Sequence, residues 1–174
     1  MAREYERVPI VGSERAALSG SRVIGAANPN QVIQVTVRLR THTPLSGAEL
    51  QQEGALLPGE RQYVTPDDYE HRFGANPQDV SKIENFAQTH QLTVVEADRA
   101  SRSVILSGTV SAFSRAFDVE LSECEYEGVR YRGRVGALYI PHELAGIVTG
   151  VFGLDDRPQT TADFAAAPRQ PAAS

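Results

Sequence analysis

The first sustained pattern along the chain is an alternation. Over residues 31–40, Ile33, Val35, Val37 and Leu39 take every second position, with Gln34, Thr36, Arg38 and Arg40 between them. Side chains of an extended strand point alternately to opposite faces, so this run predicts a strand with one buried and one solvated side. The period then changes. Val80, Ile83, Phe86, Ala87 and His90 recur three and four residues apart, which predicts an amphipathic helix of about four turns, opened by Asn76 and Pro77. Just before it, Thr65-Pro66-Asp67-Asp68 has the form of another helix start. It supplies a capping hydroxyl, a proline whose missing N–H is no loss in a first turn, and two acids at the positive end of the helix dipole. Tyr69 and Phe73 lie one turn apart, and Gly74 ends that helix.

Two short apolar runs, residues 92–97 and 102–107, flank a turn at 98–101 and predict a hairpin. Thr109 caps a further helix carrying Val110, Phe113 and Phe117 on one side. Residues 119–126 return as a strand, and Glu127-Gly128 turns it into an extended stretch over 129–132. From residue 31 the order is strand, helix, strand, strand, helix, strand. This is an α+β fold, the βαββαβ of a split ferredoxin-like antiparallel sheet, with helices on one face and the other open to water or a partner. An extra hairpin and a C-terminal helix elaborate it: Pro141 suits a first helical turn, and Leu144, Ile147, Val148 and Val151 fall on one face after it.

Residues 1–30 lack a sustained period and read as an N-terminal arm, draped or mobile, anchored at Val8, Ile10 and Val11. Residues 41–62, rich in Pro, Gly, Ser, Gln and Glu, read as a partly ordered excursion. The folded domain spans 31–157. Residues 158–174, with small side chains and Pro168 and Pro171, cannot pack a core and read as an extended tail.

Composition narrows the function classes. A net charge of −5, with basic residues spread among acidic ones, leaves no continuous stripe for phosphates, so nucleic acid is not an expected partner. Cys124 is the sole cysteine, which excludes an intramolecular disulfide and favours a small buried residue over a reactive thiol. No apolar run reaches the roughly 20 residues of a membrane span, and the first residues lack the apolar core of a secretory signal.

The residues with catalytic chemistry do not form a site. In Ser107-Gly108-Thr109 the serine ends a strand and the threonine caps a helix. Asp67 with Glu70, and Glu120 with Glu123, sit in a capped first turn and along a strand, where surface acids are ordinary. His42, His71, His90 and His142 are scattered, without the spacing of a zinc site, and Asp155-Asp156 is too short for a calcium loop. The strand around residues 102–107 lacks the aromatic residues of an RNA-binding sheet. An acylphosphatase-like anion cradle would need an asparagine and an arginine together, and Asn28, Asn30, Asn76 and Asn85 lie at loops or on a helix. Asp118, Glu120, Glu123, Glu125 and Glu127 gather beside Arg130, Arg132 and Arg134. Two readings stand for this group, cross-strand pairing within a hairpin and docking to a partner.

Three segments carry a family resemblance. Ile140-Pro-His-Glu-Leu-Ala-Gly-Ile-Val, followed by Val151-Phe-Gly-Leu-Asp-Asp-Arg-Pro158, resembles the close of the activation prodomain of sedolisin (serine-carboxyl) peptidases. Tyr63-Val-Thr-Pro-Asp-Asp-Tyr-Glu-His-Arg-Phe-Gly74 is similar to a second block of that family. Val104-Ile-Leu-Ser-Gly-Thr-Val110 with Ala116-Phe-Asp-Val-Glu-Leu121 is similar to a third. Order and spacing agree from about residue 31 to residue 158, most closely with the pro-kumamolisin type.

The resemblance implies an N-terminal propeptide that is not itself an enzyme, holds no cofactor or metal, and acts as intramolecular chaperone and inhibitor of an acid-acting, extracellular endopeptidase. The partner it implies is the cognate sedolisin catalytic domain, which resembles a calcium-binding one, and not nucleic acid, membrane or a small-molecule substrate. It implies a protease interface drawn from Asp118, Glu120, Glu123, Glu125, Asp155, Asp156 and Arg157. The tail, with Phe164, Pro168, Arg169, Gln170 and Pro171, would then thread the peptidase cleft and be cut at maturation in acid. The alternative is a free-standing ferredoxin-like interaction module with no peptidase attached.

Overall fold

The strand expected at residues 31–40 forms and becomes the centre of the fold. In a computed structural model, which describes residues 6–43 and 65–158, strand β3 is Val32–Leu39, with Ile33, Val35, Val37 and Leu39 buried and the residues between them more exposed. Two earlier strands, β1 (Arg7–Pro9) and β2 (Arg22–Ala26), precede it. After it come helices α1 (Pro66–Phe73) and α2 (Pro77–Thr89), strands β4 (Thr93–Asp98) and β5 (Ser103–Thr109), and helix α3 (Val110–Ala116). Strands β6 (Ser122–Tyr126), β7 (Val129–Gly133), β8 (Tyr139–Pro141) and β9 (Val148–Phe152) complete the described chain.

Each helix begins where its cap was expected. Thr65 Oγ1 accepts from the Asp68 amide at 3.2 Å, Asn76 Oδ1 from the Gln78 amide at 2.9 Å, and Thr109 Oγ1 from the Ala112 amide at 3.2 Å. Each bond satisfies one of the amides that a first helical turn leaves without a partner. Val80, Ile83, Phe86 and Ala87 of α2 and Val110, Phe113 and Ala116 of α3 join Val35, Val37, Val104 and Leu106 in one core. The Phe86 and Phe117 rings meet inside it, with centroids 5.5 Å apart. A two-pronged ion pair ties the strand end to the helix layer: Arg40 Nε donates to Asp79 Oδ2 at 2.8 Å and Nη2 to Oδ1 at 3.3 Å.

The main sheet runs β4-β5-β3-β9, with every pairing antiparallel. Counted as the four strands of a βαββαβ unit, β3, β4, β5 and β9 have the ferredoxin-like order, and α2 and α3 cover one face. Two expectations need correction. Residues 119–126 do not supply the fourth strand: β6 is committed by the Glu127-Gly128 turn to pair with β7, and it takes β2 on its other edge, making a separate sheet ordered β2-β6-β7. The fourth strand comes from the stretch expected to be a helix. There the chain makes only a single 3-10 turn, His142–Leu144, and Gly146 then takes a φ of +72°, which ends any helical path. Val148, Thr149, Val151 and Phe152 are β-branched or aromatic residues suited to a strand, and β9 pairs Val151 with Val37 and Leu39 with Val148. Leu144, Ile147 and Val148 are buried as their spacing implied, but from a turn and a strand.

The N-terminal arm is also more structured than its sequence suggests. β1 pairs with β8 and β2 with β6. Ile10 is buried, whereas Val11 is 93% exposed and anchors nothing. Cys124 is buried and unpaired, as expected of a small apolar residue. Residues 44–62 of the excursion expected over 41–62, and the tail from residue 159, lie outside the described residues.

Phe113 is fully buried between α3 and the sheet. Phe113→Ala is expected to lower the free energy of unfolding by about 3–5 kcal/mol in urea titrations followed by far-UV circular dichroism.

Candidate docking face and chain exit

The face of the main sheet turned away from the helices follows from the register. Across β3 and β5 it carries the pairs Gln34 with Ser107, Thr36 with Ile105, and Arg38 with Ser103. β9 adds Gly150 opposite Arg38 and Phe152 opposite Thr36. β4 adds Glu96 and Asp98, and its bulge between Val94 and Glu96 gives the strand an extra residue, Val95, which is exposed. Phe152, 56% exposed, stands at one edge with its ring over Gly150. A Cβ at residue 150 would come within 2.9 Å of that ring, so glycine is what lets the ring lie down there. The result is a shallow surface of mixed polarity: apolar at Phe152, Ile105 and Val95, basic at Arg38, acidic at Glu96 and Asp98. Asp98 is held below the usual aspartate range by hydrogen bonds from Ser101 and Ala100 in the adjoining turn.

The acidic group singled out in the sequence lies elsewhere, along the second sheet and the approach to it. Glu123 stands opposite Arg132 in the β6–β7 register and pairs diagonally with Arg130 at 3.4 Å. Glu125, opposite Arg130, pairs with Arg22 of β2 at 2.7 Å. Cross-strand pairing therefore accounts for these two. Asp118 and Glu120 precede β6 and are exposed, Asp118 with a φ of +48° just past the end of α3.

Asp155 and Arg157 are drawn inward, while Asp156 between them stays exposed. Asp155 Oδ2 accepts the Arg134 amide at 3.1 Å, and its Oδ1 accepts the Arg157 amide at 3.0 Å and Arg157 Nε at 2.9 Å. Arg157 Nη2 also donates to Asp155 Oδ2. The Asp156 amide donates to the Arg132 carbonyl at 2.9 Å, and the Arg132 amide returns a bond to Asp156 Oδ1. Arg132 and Arg134, whose part sequence reasoning missed, are both buried. Arg132 Nε donates to the Leu154 carbonyl at 2.8 Å and Nη2 to the Gly153 carbonyl at 3.0 Å, while Arg134 Nη1 donates to the Gly136 carbonyl at 2.8 Å. Burial pushes the Arg134 guanidinium down, and the nearby charges of Arg15 and Arg157 add to that, against Asp155. The signal available beforehand was arginine at alternate positions 130, 132 and 134 with an Asp-Asp-Arg run after it; nothing in the spacing joined the two.

A further concavity, a cleft of about 920 Å³, opens between the ends of α2 and α3 and the start of β1. His90 lines it, capping α2 and packed on Phe86 at 4.6 Å between centroids. Arg7 donates from Nη1 to the Ala116 carbonyl at 3.0 Å, closing the end of α3. Among the described residues, no three His, Cys, Asp or Glu side chains gather as a metal site would need. No helix among them is long and apolar enough to cross a membrane. Thr109 acts as the helix cap expected of it. The expected cleft-threading residues Phe164, Pro168, Arg169, Gln170 and Pro171 lie outside the described residues.

The architecture is that of a ferredoxin-like α+β domain, helices on one face of its sheet and an open, mixed surface on the other. The family described as "Pro-kumamolisin, activation domain" matches residues 19–157, and the chain belongs to that family. It is 32% identical over 162 residues to Kumamolisin of Bacillus sp. (strain MN-32), across 92% of this chain and 29% of that protein. It is 24% identical over 170 residues to Tripeptidyl-peptidase sed5 of Aspergillus fumigatus, across 86% of this chain and 28% of that protein. The chain thus spans less than a third of the length of these curated relatives.

Burial pushes the His90 imidazole below its ordinary value of 6.5, and the positive charges of Arg7 and Arg115 act in the same direction. A base whose folded value is depressed contributes stability that is whole above 6.5 and is lost as pH falls from there toward the folded value. In a proton NMR titration of the imidazoles, His90 is expected to titrate below pH 6.5, and His90→Gln is expected to reduce the fall in stability over that interval.

Proposed function

We propose that this chain is the N-terminal propeptide of a secreted, acid-acting sedolisin, a kumamolisin-like serine-carboxyl endopeptidase. It serves that enzyme as intramolecular chaperone and inhibitor and carries out no bond cleavage itself. The observation that supports this reading most is the family match over residues 19–157, which spans the whole ferredoxin-like unit with its open face. In this reading residues 31–157 form the docking body, residues 1–30 an arm upon it, and residues 158–174 a linker. The linker, with Phe164, Pro168, Arg169, Gln170 and Pro171, lies in the active-site cleft until it is cut autocatalytically in acid. The partner is the cognate catalytic domain, which brings its own calcium site, and the encounter is extracellular.

Physically, a broad contact supplies area, and a tethered second contact raises the local concentration of the linker at the cleft. The open sheet face offers the broad contact. The exposed carboxylates of Asp118 and Glu120 stand at the rim, offered to the positive ends of helices on the enzyme. A carboxylate that such an end stabilises has a lower pKa in the complex than in the free chain. Its contribution to binding is then complete above the free-state value and fades as pH drops through the bound one, so affinity weakens toward acid.

The test is inhibition of a mature sedolisin by the separate chain between pH 3 and pH 7. Binding is expected to be tight at neutral pH and to weaken as pH falls. Phe152→Glu on the open face is expected to weaken inhibition about tenfold or more, while shifting the unfolding free energy by no more than about 1 kcal/mol. Inhibition that is absent at neutral pH, or that strengthens toward acid, contradicts the proposal.

A further inference from the structure

The last described residues are held by a charge cluster of unusual composition. Around Asp155 and Asp156 stand four arginines: Arg157 and Arg134 bonded to Asp155, Arg132 bonded to Asp156, and Arg15 close enough to depress Arg134. Among ionisable side chains the cluster also meets Tyr131 and Cys124, Glu120, which lines the same groove as Arg157, and Glu123, which stands opposite Arg132. The side chains of Asp155 and Arg157 are 3% and 17% exposed, so water does little to soften what happens there. Asp155 accepts four N–H groups, from the Arg134 amide and the amide, Nε and Nη2 of Arg157. Arg157 then reaches in three directions: to Asp155, to the Arg134 carbonyl at 3.2 Å, and to the Ala16 carbonyl at 3.0 Å in the N-terminal arm. One carboxylate thereby joins the arm, the segment beyond β7 and the end of the folded chain.

We propose that Asp155 and Arg157 form an acid-labile clasp that sets where residues beyond 158 leave the domain, and that it opens locally while the main sheet stays folded. Protonation of Asp155 turns an acceptor lone pair into an O–H and removes the most deeply buried of the negative charges that offset the four positive ones. The guanidinium groups of Arg157, Arg134, Arg132 and Arg15 then repel one another in a partly buried space. No register pair of the β3–β5 ladder holds a carboxylate: the pairs place hydroxyl, amide and aliphatic side chains opposite one another, with Arg38 facing Ser103. Burial alone would raise the Asp155 carboxyl; the hydrogen bonds from Arg157 and the Arg134 amide outweigh it and hold the group below the ordinary aspartate value of 3.8. The clasp is therefore complete above pH 3.8 and gives way as pH falls through the folded value.

The clasp is a property of this chain on its own. Its use, to hold the start of the linker in line until acid releases it, rests on the propeptide reading above. The experiment separates the two, because it needs no peptidase. Amide exchange is followed by NMR in the 174-residue chain from pH 6 to pH 2.5, reading the amides of Arg134 and Arg157 against those of the β3–β5 ladder. On crossing into acid the Arg134 and Arg157 amides are expected to lose about tenfold or more of their protection, corrected for the intrinsic rate, with the ladder still protected. Asp155→Asn and Arg157→Ala are each expected to expose the Arg134 amide already at pH 6. Protection at Arg134 that is unchanged throughout, or lost only together with the ladder, overturns the proposal. So does an Arg157→Ala chain that stays folded with the Arg134 amide still closed.

Discussion

Strand β3 is paired along both edges, with β5 on one side and β9 on the other, and every second residue of it enters the core. That double commitment is the constraint on which the rest depends. A strand hydrogen-bonded on both sides cannot slip by one residue without turning Val35, Val37 and Leu39 to solvent, so its register is set by burial as well as by backbone pairing. Because the helices take the side of the valines, Gln34, Thr36 and Arg38 are left to the other side together with their partners on β5 and β9. The open face is thus a consequence of how the core is made, and its mixed composition follows from what can sit on a pleated strand without demanding burial.

The need for β9 also explains the second half of the chain. After α3 the polypeptide adds β6 and β7 to the earlier β2, making an additional sheet, before coming back to pair with β3. It then meets β7 a second time, where Arg132 and Arg134 receive it. Buried arginines are tolerable only when their donors are used, and here the carbonyls of Gly153, Leu154 and Gly136 accept from the guanidinium groups, with the Asp156 carboxylate 3.6 Å from Arg132. The end of the folded chain is therefore fastened by charge and hydrogen bonding, while the main sheet is held by apolar packing. These two kinds of attachment respond differently to pH, and the boundary between them falls where the linker begins.

What could be read from the residues divides along the same physical line. Helix starts were legible because a cap is local: Thr65, Asn76 and Thr109 each satisfy an amide two or three residues away. The strand alternation and the hairpin over residues 93–109 were legible for the same reason. Pairing partners were not, since a single sequence does not say which strand lies beside β3. The spacing of Leu144, Ile147, Val148 and Val151 fits a helix face and a turn followed by a strand equally well. Only the conformation of Gly146 and the vacancy beside β3 decide it. Asp155 and Arg157 stood among the interface candidates because the residues that claim them, Arg134 and Ala16, are distant in sequence. The acids of β6 showed their chemistry early, but which of the two readings described Glu123 and Glu125 depended on Arg130 and Arg22 being in place.

A body that docks by its open sheet face, with its exit fastened beside β7, predicts a particular footprint on a partner. The most direct measurement is hydrogen–deuterium exchange of the chain alone and mixed with a mature sedolisin catalytic domain at neutral pH. The account predicts added protection on β4 and β9, the outer strands of the open face, with α2 and α3 unchanged. Added protection confined to the helical face, or to the β2 edge of the second sheet, would contradict it.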